Sequence, residues 1–213
     1  MDNISRDEWF FKILGSGDPT RLFAAGIHGN EEGVTRPILE RLARDIEIKS
    51  GRLILVSLPS GYPYISTLDK AYHSSITGRK LLDIIHKYRP CIYLELHSYE
   101  RDNHSKLTDP DRKSKIGVPP FTELEEKVLI GSVSPLIRTS EFKREDFCIT
   151  LEIPDPPSEK ALQVAIDILR SICLSSTRYE ILDKLSGQYP RQIGEAQKNF
   201  NEFYRDMKNL SFF

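Results

Sequence analysis

The chain has 213 residues, with 30 Lys and Arg against 31 Asp and Glu and a formal net charge of −1 at pH 7. Charges so balanced and so interspersed exclude the basic field of a nucleic-acid or anionic-membrane binder. No apolar run approaches the roughly 20 residues that span a bilayer, which excludes a helical membrane anchor.

The length fits one medium-sized α/β domain able to bury a sizeable core. The start, Met1 to Glu8, lacks the charged and apolar pattern of a signal peptide. Cys91, Cys148 and Cys173 are odd in number, and they read as buried reduced thiols rather than a disulfide framework. Together these features point to a cytoplasmic protein.

In chain order, Leu22 to Ile27 is a strand. A helix opens at Thr35-Arg36-Pro37, with Pro near its first turn and an apolar stripe of Ile38, Leu39, Leu42, Ile46 and Ile48. Leu53 to Leu58 is almost wholly apolar, as a parallel strand covered on both faces tends to be. Gly78 to Tyr88 reads as helix and Cys91 to Leu96 as strand. Glu100 to Pro120 is polar and aperiodic; it is either a solvated loop or a lid presenting Arg101, Lys106, Arg112 or Lys113 to an anionic substrate.

Further along, Thr122 with Glu125 three residues later predicts a capped helix running to Ile130. Strands follow at Val133–Ile137 and Phe147–Ile153, the latter stopped by Pro154. Ser158 caps a helix to Cys173 with Leu162, Ala165, Ile166 and Leu169 facing inward. The tail carries an amphipathic stripe of Phe200, Phe203, Tyr204, Met207 and Leu210, which packs on the domain or on a second subunit of a homo-oligomer.

Three segments carry chemistry. The run Gly26-Ile27-His28-Gly29-Asn30-Glu31 places a His and a Glu three residues apart at a helix start, where both can reach one cation. A strand-like run delivers His97, and another carries Glu152. Strand carboxyl ends are where an open α/β sheet collects ligands and catalytic groups. Imidazole nitrogens with a carboxylate suit Zn²⁺ and leave Glu152 as a carboxylate outside the ligand set. Glu95 shares the face of His97, as acceptor for an imidazole N–H or as a salt-bridge partner. Glu32 suits a helix's first turn.

Leu94-Glu95-Leu96-His97-Ser98-Tyr99, Thr150-Leu151-Glu152 and the turn Leu58-Pro59-Ser60-Gly61-Tyr62, with His28-x-x-Glu31, resemble in order and spacing the motifs of the zinc carboxypeptidases and their relatives succinylglutamate desuccinylase and aspartoacylase. The resemblance runs from about Leu22 to about Leu169 and suggests an archaeal branch. It implies a three-layer α/β/α fold with a mixed, mostly parallel central sheet, over residues 1–175, with 176–213 as a helical extension. It also implies Zn²⁺ held by His28, Glu31 and His97, with Glu152 as general base in amide hydrolysis.

The departures are equally specific. Leu58 stands where the family has Asn, and the family's Asn-Arg pair is absent. Lys70, His73 and Arg79 are what the segment after Gly61 offers for substrate or oxyanion binding. The compact length resembles the desuccinylase branch, which implies a small N-acyl amino acid or short peptide as substrate. The alternatives are a carboxypeptidase trimming one protein's tail and a non-catalytic metal-binding or scaffold protein.

Overall fold

A computed structural model describes residues 9–58 and 64–205. The stretches 1–8, 59–63 and 206–213 lie outside the described residues, and with them the chain start, the turn after Leu58, and Met207 and Leu210 of the apolar stripe.

Seven strands form one mixed sheet: β1 (Phe10–Ser16), β2 (Thr20–Ala25), β3 (Gly51–Ser57), β4 (Ile92–Glu100), β5 (Thr122–Glu123), β6 (Leu129–Gly131) and β7 (Phe147–Asp155), in the order β1-β3-β2-β4-β7-β6-β5. The four central strands β3, β2, β4 and β7 are parallel; β1 at one edge and β6 and β5 at the other pair antiparallel. Helices cover both faces, so the expected three-layer α/β architecture is what the chain adopts.

The two faces follow from the two-residue period of a strand. One face presents Phe23, Leu55, Leu94, Leu96, Ile149 and Leu151 to α1 (Glu32–Asp45), α7 (Glu159–Cys173), α8 (Arg178–Gln188) and α9 (Pro190–Tyr204) in one continuous cluster. The other presents Leu22, Ala24, Ile54, Val56, Tyr93 and Cys148 to α2 (Ala71–Ser74), α3 (Ile76–Tyr88) and α6 (Pro135–Glu141). The first cluster reaches Phe200 and Tyr204, so the stripe of the C-terminal helix packs on its own domain, with Phe203 partly buried beside it. No helix among the described residues is long and apolar enough to cross a membrane.

Most predicted elements appear at or near their expected places. Ser158 caps α7 by accepting from the Ala161 amide at 3.0 Å, and Ser75 caps α3 through the Gly78 amide at 2.9 Å.

Several expectations are corrected. Thr122–Ile130 is not a helix but the β5–β6 hairpin. Glu126 and Lys127 adopt positive φ of 53° and 65° between the strands, and pairing with β7 overrides the helix propensity. Val133–Ile137 is not a strand: Pro135 opens α6, since its missing N–H is harmless in a first helical turn. Helix α1 begins at Glu32 rather than Thr35, leaving Pro37 inside it. The carbonyl that Pro37 cannot serve belongs to Gly33, on the exposed side.

Strand β7 continues to Asp155, so Pro154 does not stop it. The β6 pairing ends at Glu152, and beyond it β7 has an edge on that side, where Pro is tolerated. Residues 101–116 form a 3₁₀ turn (Arg101–Asn103), α4 (His104–Leu107) and α5 (Arg112–Ile116) instead of an unstructured loop. Cys91 is exposed and precedes β4, although Cys148 and Cys173 are buried as expected.

Candidate metal centre

Strand β2 ends at Ala25, and the chain must turn at once to start α1. Gly26 makes the turn with φ of +62°, and a Cβ there would stand 2.4 Å from the Leu58 carbonyl oxygen, so only glycine fits. Thr35 ties turn to helix: its hydroxyl accepts from the Gly26 amide at 3.3 Å and donates to the Glu31 carbonyl at 2.7 Å. Glu31, whose carbonyl also takes the Val34 and Thr35 amides, is thereby held at the head of α1, three residues after His28.

The third member comes from β4. Along the α3/α6 face of that strand the sequence reads Tyr93, Glu95, His97, and along β7 it reads Cys148, Thr150, Glu152. Parallel register sets Glu95 beside Thr150 and His97 beside Glu152. One face of each strand therefore changes from core to polar halfway along. Both residues lie inside their strands rather than at the last position, three residues before the ends.

His28, Glu31 and His97 converge so that one ligand atom of each lies within 4.8 Å of the others. His97 Nδ1 is 3.1 Å and His28 Nδ1 3.2 Å from the same oxygen, Glu31 Oε1. Ligands on a tetrahedral Zn²⁺, each about 2.0–2.1 Å from the ion, stand roughly 3.3–3.4 Å apart. His28 Nδ1 and Glu31 Oε2 are buried without a hydrogen bond, and buried polar atoms of this kind call for an unrecorded partner. The donor set and the two orphaned atoms fit a divalent ion of zinc type.

The charges of the three groups act strongly on one another. Burial disfavours ionised Glu31, but His97 and His28 outweigh it and hold its carboxyl at about 2. Burial favours a neutral His97 ring, yet Glu31 and Glu95 raise its pKa well above the ordinary value. An ionised Glu31 and a His97 that favours its protonated form thus share a buried space, and a cation bound there would take the place of that proton.

Behind the ligands stands a supporting chain. His97 Nε2 is 3.1 Å from Glu95 Oε2; the Tyr93 hydroxyl donates to Glu95 Oε1 at 2.8 Å, and Thr150 donates to Oε2 at 3.5 Å. Of the two roles open to Glu95, the geometry is that of an acceptor fixing the imidazole so that Nδ1 faces Glu31. Tyr93 and Thr150 were not singled out in the sequence; each lies two residues before a residue that was, and the strand period is the signal that finds them.

A cavity of about 130 Å³ opens over this group and is lined by His28, His97, Glu95 and Glu152 among others. Burial pushes the Glu152 carboxyl up to about 7, with Glu31 adding to the rise and His97 and Arg112 opposing it. A group titrating there can take and return a proton near neutral pH.

Lys70, His73 and Arg79 are not among the residues lining the cavity. Lys70 is exposed before α2, His73 is half-buried in α2, and Arg79 is exposed on α3. Of the four basic residues read on the 100–120 segment, Arg112 alone lines it, beside Phe121 and Pro119. Tyr64, which the sequence reading passed over, also lines the cavity, its ring 4.6 Å from that of His28.

A profile of the family described as "Uncharacterized protein conserved in archaea (DUF2119)" matches residues 16–205. An uncharacterised protein of Methanocaldococcus jannaschii is 37% identical over 209 residues, covering 95% of this chain and 97% of that one. Among solved structures, a bacteriophage poly-gamma-glutamate hydrolase aligns over 94% of this chain and 89% of its own at 9% identity, with a TM-score of 0.27. A likeness at that score carries no argument.

Proposed function

The chain belongs to the DUF2119 family of proteins conserved in archaea, and we propose that it is a zinc-dependent hydrolase of an amide bond in a small N-acyl amino acid or short peptide. Its main support is the convergence of His28, Glu31 and His97, with two buried ligand atoms that make no hydrogen bond, beside a carboxylate outside the set. On this reading the family is a branch of the zinc carboxypeptidase superfamily, beside the desuccinylases and aspartoacylases, and works in the cytoplasm.

His28, Glu31 and His97 would hold the ion, which when bound would polarise the scissile carbonyl and lower the pKa of a water at the site towards about 7. Glu152 accepts the water proton and delivers it to the leaving nitrogen; its raised pKa suits both halves of that transfer. Glu95, locked by Tyr93 and Thr150, keeps His97 from turning away. The segment 101–121 covers one side of the cavity through Leu107, Arg112 and Phe121 and limits water.

A non-catalytic metal-binding or scaffold role is the second reading. It is favoured by the position of Lys70, His73 and Arg79 outside the cavity. Elemental mass spectrometry of the purified protein, with His28→Ala and His97→Ala beside wild type, is the primary test. About one zinc per chain in wild type, lost in both variants, is the expected result. Wild type that neither carries nor takes up zinc would end the hydrolase reading.

A further inference from the structure

We propose that a cavity at the amino ends of β4 and β7 is a second binding site, which takes the phosphate monoester of a small molecule and holds its phosphate with Arg89 and Lys143. The site is separate from the metal centre. Ile92 pairs with Phe147 where the two strands begin, and His97 pairs with Glu152 five residues further on, roughly 16 Å away. Nothing in it depends on the hydrolase reading.

This cavity has a volume of about 420 Å³, against about 130 Å³ over the metal centre. Sites for small molecules occupy roughly 300–1,000 Å³. Ile85 and Pro90, both buried, make part of its lining apolar.

Most of its polar groups are already engaged. Glu141 Oε2 lies 2.5 Å from His86 Nε2, and Glu141 Oε1 accepts from the Ser140 hydroxyl at 2.7 Å. Asp146 accepts from the Lys143 amide at 2.7 Å. The Cys91 thiol donates to the Thr20 carbonyl at 3.7 Å, and burial pushes its pKa up, which leaves it a poor nucleophile. These groups do not converge as metal ligands do; among the described residues that geometry belongs to His28, Glu31 and His97.

Arg89 and Lys143 are the exceptions. Both are exposed, and among the described residues neither side chain makes a hydrogen bond or a close ion pair. Lys143 acts on Asp146 only from beyond ion-pair range, as the weakest influence on that carboxyl. The loop that carries Lys143 is held in shape from beneath. Arg138, 1% exposed, donates to the carbonyls of Phe142, Lys143, Arg144 and Asp146. Arg89 ends α3 at φ 45° and ψ 59°, the left-handed region that a helix terminus ordinarily gives to Gly or Asn. The backbone there is strained by any Cβ and has no use for an arginine. A side chain that stands against the local preference, with its guanidinium idle in a cavity, points to a ligand.

The unused charge is one planar fork and one point charge, both positive. A carboxylate would be completed by the fork alone, whereas a dianionic phosphate has oxygens for both groups. The remaining volume, beside Ile85 and Pro90, accommodates the organic part of an ester.

The test is calorimetric titration of the full chain, zinc-loaded and zinc-free, with ethyl phosphate, inorganic phosphate and propionate. Wild type should bind ethyl phosphate equally with and without zinc, more tightly than inorganic phosphate and at least about tenfold more tightly than propionate. Arg89→Gly, which suits the backbone, should weaken ethyl phosphate at least about tenfold, the size of one charge-assisted contact, while the urea midpoint does not fall. Lys143→Gln, at an exposed position, should weaken it about three- to tenfold and decides the matter if Arg89→Gly does not fold. Lys87→Gln removes a positive charge two residues before Arg89 and outside the cavity lining, and should change binding less than about twofold.

The proposal is overturned if wild type does not bind ethyl phosphate, or binds propionate or inorganic phosphate as tightly. It is equally overturned if Arg89→Gly and Lys143→Gln lose no more than Lys87→Gln, which would make the attraction a diffuse surface field. Binding that disappears with zinc would put the phosphate on the metal, overturning this inference and leaving the hydrolase reading intact.

Discussion

The two faces of the sheet differ in one respect that organises the molecule. Under α1, α7, α8 and α9 the strands β4 and β7 stay apolar at the level of the site: Leu94 and Leu96 of β4 and Ile149, Leu151 and Ile153 of β7 are all buried in one cluster. Under α3 and α6 the same strands start apolar, with Tyr93 and Cys148, and then turn to Glu95, His97, Thr150 and Glu152. Alternation puts these two programmes on one backbone, residue by residue. The apolar face supplies stability to strands whose other face holds buried charges at a cost. Stability and chemistry should therefore separate when each face is altered alone.

The largest effect is expected at the base. Glu152→Gln keeps the shape and removes the proton acceptor; turnover of whichever N-acyl amino acid the wild type hydrolyses should fall about 10²–10⁴-fold with zinc retained. Full activity in that variant would sink the mechanism. Next in size, Leu94→Ala on the opposite face of the same strand should cost about 2–5 kcal/mol in urea denaturation, with zinc per folded chain unchanged. If zinc is lost from protein that is still folded, the faces are not independent. The smallest effect is at Glu95→Gln, which leaves packing alone but weakens the grip on His97. Zinc affinity, measured by competition with a chelator, should drop about tenfold with the urea midpoint nearly unmoved. An affinity equal to wild type would break the assignment of Glu95 as the group that positions the ring.

What could be read beforehand follows the same division. The central strands and α7 announce themselves through uninterrupted apolar runs, a serine cap and a helical stripe, because burial on both sides leaves little freedom of composition. The antiparallel edges do not. Nothing in the sequence marks β1, with Ile13 41% exposed along its length, and the spacing of Thr122 and Glu125 predicts a helix where β5 and β6 stand. Strands of two and three residues exist because β7 offers β6 a partner and β6 in turn offers one to β5, and no local window contains β7. Val133–Ile137 failed for a related reason: its apolar residues are buried, but by a helix that Pro135 begins.

At the site, the sequence by itself determined the residue types. A His and a Glu three apart at a helix start, a His on one apolar strand and a Glu on another are legible because ligands and bases need those groups and strands need that alternation. The tertiary structure alone decided which groups meet. Parallel register sets His97 against Glu152, a glycine turn brings His28 and Glu31 to the same point, and a short helix 15 residues beyond His97 carries Arg112 to the cavity that Lys70, His73 and Arg79 do not line. Side-chain chemistry is local to a residue, whereas convergence depends on strand order and loop path, which are fixed by contacts distant in the chain.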